Sequence, residues 1–171
     1  MDLVTYGTES IVDIANYQLD AEKSIRLYFS NDNPEFANIF TGYRVSEVNA
    51  MLSDMINETD IRSVLVLMAH MEATFRVDYK VRSQKKYSDP ISIEFRKIWK
   101  RKKQRARLEE ILDVWGNINP ESKKIIGQLK SIFSFRHWLA HGRYWNIGNE
   151  YDFQTVYLLT DAVLSSFSFY E

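Results

Sequence analysis

Apolar residues recur along this chain every three or four positions, the spacing that places them on one face of an α-helix. Strand-like alternation of apolar and polar residues is weak throughout. The pattern therefore predicts an all-α protein. The predicted helical segments cover residues 9–29, 44–57, Thr59 to about Arg82, 90–115, 120–141 and 152–169, with a short turn near 34–40.

The segment from Thr59 to Arg82 is apolar on several sides, which is typical of a helix at the centre of a bundle. Residues 44–57 carry a single stripe formed by Val45, Val48, Met51, Leu52 and Met55. These patterns favour one domain over residues 1–171, folded as a single up-and-down helical bundle of four to five main helices.

All three prolines follow an Asn or Asp, in the pairs Asn33-Pro34, Asp89-Pro90 and Asn119-Pro120. An Asn or Asp side chain accepts a hydrogen bond from a free N–H at a helix start, and proline suits the first helical position because it lacks that N–H. Each pair therefore predicts the start of a helix.

Composition narrows the function classes. The 171 residues include no cysteine, no apolar run long enough to cross a membrane and no leader-like start, so a cytoplasmic protein without membrane contact is expected. No grouping of His, Asp and Glu has metal-ligand spacing, and no glycine-rich phosphate loop occurs. We therefore expect neither a metal nor another cofactor. His70, within the central helix, is interpreted as a core histidine.

Charge is unevenly distributed although the net charge is −1. Residues 1–60 hold eleven acids and three bases, whereas residues 61–110 hold six acids and fourteen bases. Within residues 96–107 eight of twelve residues are basic, and Lys102 and Arg105 occupy positions that a core stripe would claim. This basic helical segment is either a solvated face or a protruding surface that binds a nucleic-acid backbone, through Lys100, Arg101, Lys103 and Arg107.

Two charged residues interrupt apolar stripes. Glu72 shares a stripe of the central helix with Met68 and Phe75, and Arg136 shares one with Ile132 and Leu139. A buried charge is costly unless it is paired. Two partners for Glu72 are open at this point: Arg76 one turn along the same helix, or Arg136 from another helix.

His141 follows Arg136 by five positions and precedes Gly142, a residue typical of the position just after a helix end. There the negative end of the helix dipole favours an imidazolium. Arg136, His141, His137 and Arg143 together would suit an anion. On an ideal helix, however, Arg136 and His141 lie roughly 140° apart. Both can reach one anion only if the helix end is distorted or a second chain completes the cleft.

Residues 136–141, RHWLAH, resemble the signature of the HEPN superfamily: an Arg, often a polar residue, and a His after four to six intervening positions, in a late helix of a small all-α bundle. The specific resemblance covers about ten residues, and the basic segment and the sequence RYW at 143–145 lie outside the pattern. The resemblance implies a metal-independent endoribonuclease, commonly a toxin or antiphage effector. A toxin needs a restraint, and an antitoxin protein that covers the cleft or modifies a site residue could supply it.

The same resemblance implies an RNA substrate and a homodimer with two copies of the motif in one cleft. It implies that an RNA 2′-OH attacks its own phosphate, leaving 2′,3′-cyclic phosphate and 5′-OH ends. His141 would be the general acid or base, Arg136 would bind the phosphate, and His137 would orient the site. We add that Glu72 would hold Arg136, and that Arg143 and Tyr144 would assist RNA binding.

Two other interpretations remain open. A HEPN-like module without catalysis would bind RNA, a nucleotide or a protein partner. Alternatively, an unrelated bundle would use Arg136 and Glu72 as a core bridge and His141 as a helix cap.

Overall fold

The computed structural model describes residues 9–140 and 151–170, and these are helical apart from turns and short connections. The prediction of an all-α bundle is confirmed. The α-helices are α1 (Ile11–Tyr28), α2 (Phe36–Ile39), α3 (Val45–Gln84), α4 (Pro90–Lys102), α5 (Leu108–Ile118), α6 (Lys123–Ala140) and α7 (Phe153–Ser166), with single 3-10 turns at Lys103–Arg105 and Pro120–Ser122.

Helix α3 is the centre of the bundle, and α1, α4, α5, α6 and α7 all pack against it. Its 40 residues make it about 60 Å long. The core has two adjoining parts. One lies between the second half of α3 and helices α4 and α5, around Phe75 and Phe95, and the other lies between α1, α3 and α6, around Leu67 and Phe135.

The sequence-based division of residues 44–82 into two helices is wrong, because α3 runs through without a break. Thr59, expected to start a new helix, instead donates its hydroxyl hydrogen to the carbonyl of Met55 at 2.8 Å. A threonine hydroxyl can either cap the start of a helix or donate to the carbonyl four residues earlier within a helix, and Thr59 does the second. No Gly or Pro lies between Val45 and Gln84 to interrupt the helix.

The first quarter of α3 is less buried than its apolar stripe predicts. Val48 is buried, but Val45, Met51 and Met55 are exposed, with 78%, 40% and 48% of their surface accessible. Helix α1 packs against α3, and the Gln18 side chain donates to Asp60 at 2.7 Å. Helix α1 and the first part of α3, with α2 between them in the chain, form a hairpin, hereafter the hairpin arm.

The single helix expected over 90–115 is also wrong, since α4 ends at Lys102 and the chain turns through residues 103–107 before α5 begins. Of the three proline pairs, Asp89-Pro90 starts α4, and Asp89 accepts a hydrogen bond from the N–H of Ser92. Asn119-Pro120 starts the 3-10 turn that leads into α6. Asn33-Pro34 lies in turns before α2, whose first residue is Phe36.

Candidate active site

Glu72 of α3 lies between two guanidinium groups. Its Oε1 is 2.7 Å from Nε of Arg76, and its Oε2 is 3.0 Å from Nη1 of Arg136 on α6. The sequence left open which arginine pairs with Glu72, and the structure gives it both. One carboxylate with two guanidiniums leaves one net positive charge on this group of three residues, hereafter the Glu72 triad.

The Glu72 triad lies at the rim of the bundle. The Glu72 side chain is 20% exposed, and those of Arg76 and Arg136 are each 41% exposed. Arg136 is positioned by its own helix, because Ile132 and Leu139 on either side of it are buried against the core. The carboxylate is thus largely shielded, while part of each guanidinium remains accessible to an anion.

The His137 side chain lies on a different face of α6 from that of Arg136. It is exposed and borders an open groove of about 560 Å³ between α5 and α6, lined also by Leu108, Glu109, Leu112, Lys130, Phe133 and Ser134. Consecutive helical residues are separated by about 100° around the axis. Arg136 therefore points toward α3 while His137 points toward α5, and the structure does not bring these two side chains to one place.

His141, Arg143 and Tyr144 lie outside the described residues, as does Gly142. The expected separation of about 140° between Arg136 and His141 around the helix axis stays a prediction. The described part of α6 reaches Ala140.

Residues 99–107, hereafter the basic turn, contain the four cations predicted to bind RNA. Lys100, Arg101, Lys103 and Arg107 are exposed and line an open groove of about 740 Å³. The segment comprises the last turn of α4, the 3-10 turn Lys103–Arg105 and the connection to α5, so the chain bends here and does not continue as one helix. Ala106 enters the core here, whereas Lys102 forms an ion pair with Glu110.

Two side chains of α3 hold the backbone of the basic turn. The hydroxyl of Tyr79 donates to the carbonyl of Lys103 at 2.9 Å, and Nη1 of Arg76 donates to the carbonyl of Ala106 at 3.3 Å. Burial raises the pKa of Tyr79, which keeps its hydroxyl protonated as a donor. Lys103 has a φ of 48°. For a residue with a side chain such a backbone costs about 1–3 kcal/mol and persists only when its surroundings fix it.

Arg76 therefore connects two candidate regions, since it contacts both the basic turn and Glu72, and Glu72 in turn contacts Arg136. Sequence reasoning treated Arg76 only as a local partner for Glu72. Its second contact joins residues 30 positions apart, and no spacing rule on one helix predicts it.

A second charged network was missed by sequence reasoning. Arg82 is buried, and its Nε lies 2.7 Å from Oδ1 of Asp78 while its Nη1 lies 2.8 Å from Oδ1 of Asp89. Its Nη2 donates to the carbonyl of Ser168, and the N–H of Tyr170 donates to Asp78 at 2.9 Å. Burial raises the pKa of the Asp78 carboxyl, against the pull of these donors. This network ties the C-terminal segment to α3 and α4.

The sequence contains a pattern from which the Asp78–Arg82 network could have been predicted. Both residues lie on the stripe of α3 that carries Phe75, three and seven positions further along. Like Glu72, they are charged residues at positions of the stripe where apolar residues are expected. The side chains of Arg82 and Asp78 are only 4% and 0% exposed, so these two charges offer almost no accessible surface to a substrate.

Chemically, the Glu72 triad and the basic turn provide exposed cations on a rigid support. In the described part of the chain, no group of three or more His, Asp or Glu side chains is arranged to hold a metal ion. Among the described helices, none is both long and apolar enough to cross a membrane. Compared with models of protein families, with curated proteins and with solved structures, the chain matches none of them.

Proposed function

We propose that this protein is a metal-independent endoribonuclease of the HEPN type, acting as a toxin or antiphage effector that a partner antitoxin restrains. The observation that carries the proposal is the contact between Glu72 and Arg136. The arginine of the RHWLAH sequence is held by a carboxylate of the central helix, yet 41% of its side chain stays exposed. A guanidinium held in this way suits a bound phosphate.

In this proposal Arg136 binds the scissile phosphate. The two exposed guanidiniums of the Glu72 triad outnumber its one carboxylate, so the site keeps a positive charge for the anion. Guanidinium–phosphate hydrogen bonds are charge-assisted, and they strengthen as negative charge accumulates on the pentacoordinate phosphorus. Glu72 acts as a positioning residue because it orients Arg136 and does not touch the substrate.

His141 carries out proton transfer. The 2′-oxygen forms a bond to phosphorus as it loses its proton to a base, and the bond from phosphorus to the 5′-oxygen breaks as that oxygen receives a proton. The products are a 2′,3′-cyclic phosphate and a 5′-OH. An imidazole with the reference pKa of about 6.5 can accept or donate a proton at neutral pH and can therefore act in either step. In a homodimer, one His141 removes the first proton and the other supplies the second.

The direct test is cleavage of RNA in the presence of EDTA by wild type, Arg136→Ala and His141→Ala. We expect the wild type to cleave and both variants to lose about 100-fold or more of the rate, the scale of a lost proton-transfer or charge-stabilising group. Glu72→Gln should lose less, about 10- to 100-fold, because it only misplaces Arg136. Equal activity in all four proteins would indicate a contaminating nuclease and overturn the assignment.

Assembly provides a separate check on the homodimer. Sedimentation and activity are measured over the same range of protein concentration, and cleavage should rise with the dimer fraction. A monomer that cleaves at full rate would contradict the shared cleft while leaving the nuclease assignment intact.

A second candidate function is a HEPN-like module that binds RNA, a nucleotide or a protein partner without cleaving. The same Glu72–Arg136 contact favours it, because the bridge balances the Arg136 charge without any ligand. Salt-sensitive RNA binding by a wild type that never cleaves would support this candidate over the enzyme.

A further inference from the structure

The backbone of the basic turn is held by more contacts than a solvated run of cations would need. Its tightest residue, Lys103, has a φ of 48° and a ψ of −126°, a conformation that a residue with a side chain rarely adopts. Neither glycine nor proline occurs in residues 99–107 to explain it. The surrounding contacts must therefore impose this backbone.

Those contacts come from α3 and from the core. Tyr79 donates to the carbonyl of Lys103, Arg76 donates to the carbonyl of Ala106, and the Ala106 methyl group is buried with 3% of the residue exposed. The backbone is thus fixed at Lys103 and at Ala106. The exposed side chains of Lys103, Arg105 and Arg107 project at or beside these two points, and those of Lys100 and Arg101 project from the last turn of α4.

The charges of the basic turn are mostly uncommitted. Within residues 9–140 and 151–170, no acid forms an ion pair with Lys100, Arg101, Lys103 or Arg105, while Lys102 is paired with Glu110. Arg107 lies 4.0 Å from the same glutamate. Residues 100–105 therefore hold four cations without an acidic ion-pair partner among the described residues, and these repel one another unless an anion binds.

Trp99 adds an aromatic wall to the groove that these cations line. Its ring packs against Tyr79, with 5.6 Å between the ring centroids. A basic groove with an aromatic side chain is the arrangement by which proteins bind single-stranded nucleic acid, because the cations follow the backbone and an unpaired base stacks on the ring. A duplex presents its phosphates on two strands across a groove, which one compact turn cannot span.

We propose that the basic turn is a preformed site for the phosphate backbone of single-stranded RNA, fixed next to Arg136 through Arg76 and Glu72. The identity of the ligand as RNA rests on the proposed function. The turn and Arg136 are separated by only two side chains, so the strand held by the turn is the part immediately next to the scissile phosphate. Tyr79 is a positioning residue, since it acts through the Lys103 carbonyl.

The test is binding of a fluorescent 12-nucleotide 2′-O-methyl RNA, which resists cleavage, measured by anisotropy at several salt concentrations. Lys100→Gln with Lys103→Gln should weaken binding about tenfold and reduce the slope of log affinity against log salt by about 1.4, or 0.7 for each lost phosphate contact. The matched control, Lys123→Gln with Lys124→Gln, removes two exposed lysines at the start of α6 and should change neither quantity.

Tyr79→Phe tests whether the turn is preformed, because it removes one hydrogen bond and no charge. We expect it to weaken binding several-fold with an unchanged salt slope, and the thermal midpoint is measured alongside to verify folding. Equal affinity of the Lys100/Lys103 variant and its control would overturn the proposal. So would tighter binding of a duplex of the same length, or no RNA binding at all.

These outcomes are separable from those of the proposed function. If the turn variant loses binding but wild type never cleaves a natural RNA, the site stands and the nuclease assignment fails. If wild type cleaves and the turn variant binds as tightly as wild type, the nuclease assignment stands and this site fails.

Discussion

Glu72 is the residue on which the candidate site depends, because it is the only acid in contact with either Arg76 or Arg136 among the described residues. The partly buried Glu72 carboxylate contacts both guanidiniums and so orients both, while the three residues together keep one net positive charge. The arrangement leaves Arg136 oriented and still accessible, which neither a fully buried bridge nor a free surface arginine would achieve.

His70 gives a pH dependence at the scale of one residue. Burial lowers the pKa of His70 from its ordinary 6.5, and a contact with the Glu9 backbone only partly offsets this effect. Below pH 6.5 the unfolded chain takes up a proton that the folded chain resists. The free energy of unfolding should therefore decrease as the pH falls through 6.5, and the loss should stop once the pH lies below the folded pKa.

The measurement compares urea unfolding of wild type and His70→Gln between pH 8 and pH 5. The other titrating groups, including Asp78 with its raised pKa, are common to both proteins and cancel in the difference. Parallel curves for the two proteins over the whole range would show that His70 does not carry this linkage.

Single misfit residues were predictable when they interrupt an apolar stripe. Glu72 and Arg136 were found in this way, and Asp78 and Arg82 could have been found by the same rule. The contacts of Tyr79 with Lys103 and of Arg76 with Ala106 could not, because they join side chains to backbone carbonyls across 24 and 30 positions. Which carbonyl a donor reaches depends on tertiary packing.

At the scale of elements, the continuity of α3 is the main departure from the sequence pattern. In its N-terminal part Val45, Met51 and Met55 are exposed, so the stripe of residues 44–57 buries only part of its apolar surface. Helix propensity and hydrogen bonding within the helix therefore contribute more to this part of α3 than to its buried second half.

A pair of substitutions at Asn57, an exposed position of α3, tests that continuity. In a helix interior, alanine is more favourable than glycine by about 1 kcal/mol. We therefore expect Asn57→Ala to be more stable than Asn57→Gly by about that amount in urea unfolding. The same two changes at Asn31, in the turn after α1, serve as the control and should differ much less. Equal stabilities at Asn57 would indicate a break near the predicted position.

One of the three local start signals correctly predicted the start of an α-helix, whereas the helix ends shaped by tertiary contacts were not predicted. Asp89-Pro90 starts α4 because the signal lies in the backbone chemistry of two adjacent residues. The end of α4 at Lys102 carries no such signal, since the sequence there contains neither glycine nor proline. The turn exists because Ala106 packs into the core and α3 binds the backbone, and neither cause is local.

At the scale of the whole molecule, the Asp78–Arg82 network joins the middle of the chain to the C-terminal end of the described fold. It connects the second half of α3, the start of α4 and the C-terminal segment, and the Arg82 guanidinium also stacks on the Tyr170 ring, 4.1 Å from its centroid. Removing one member of a buried ion pair leaves the other charge uncompensated, which is far more costly than losing a surface pair.

Arg82→Met should accordingly lower the free energy of unfolding by about 3–5 kcal/mol. Asp113→Asn, which breaks the exposed pair with Lys130, is the control and should cost no more than about 1 kcal/mol. Both are measured by urea unfolding. Adding Asp78→Asn to Arg82→Met should recover part of the loss, and similar small losses in all three variants would contradict a structural role for the network.

The charge of the molecule is also divided along α3. The acidic residues of segment 1–60 include those of the hairpin arm, whereas the basic turn lies beside the second half of α3. If the proposed RNA binding is correct, this charge distribution would attract the strand to the basic end of the molecule, where the Glu72 triad also lies, and repel it from the acidic end.

The central claim is that this protein cleaves RNA by attack of a 2′-OH, and a single 2′-deoxy substitution tests it most directly. A cut site is first mapped in a short RNA, which is then resynthesised with one 2′-deoxynucleotide on the 5′ side of the cut. We predict that cleavage in EDTA stops at that position alone and that the unmodified RNA yields 2′,3′-cyclic phosphate ends. Continued cleavage at the deoxy position, or fragments with a 5′-phosphate, would contradict the account.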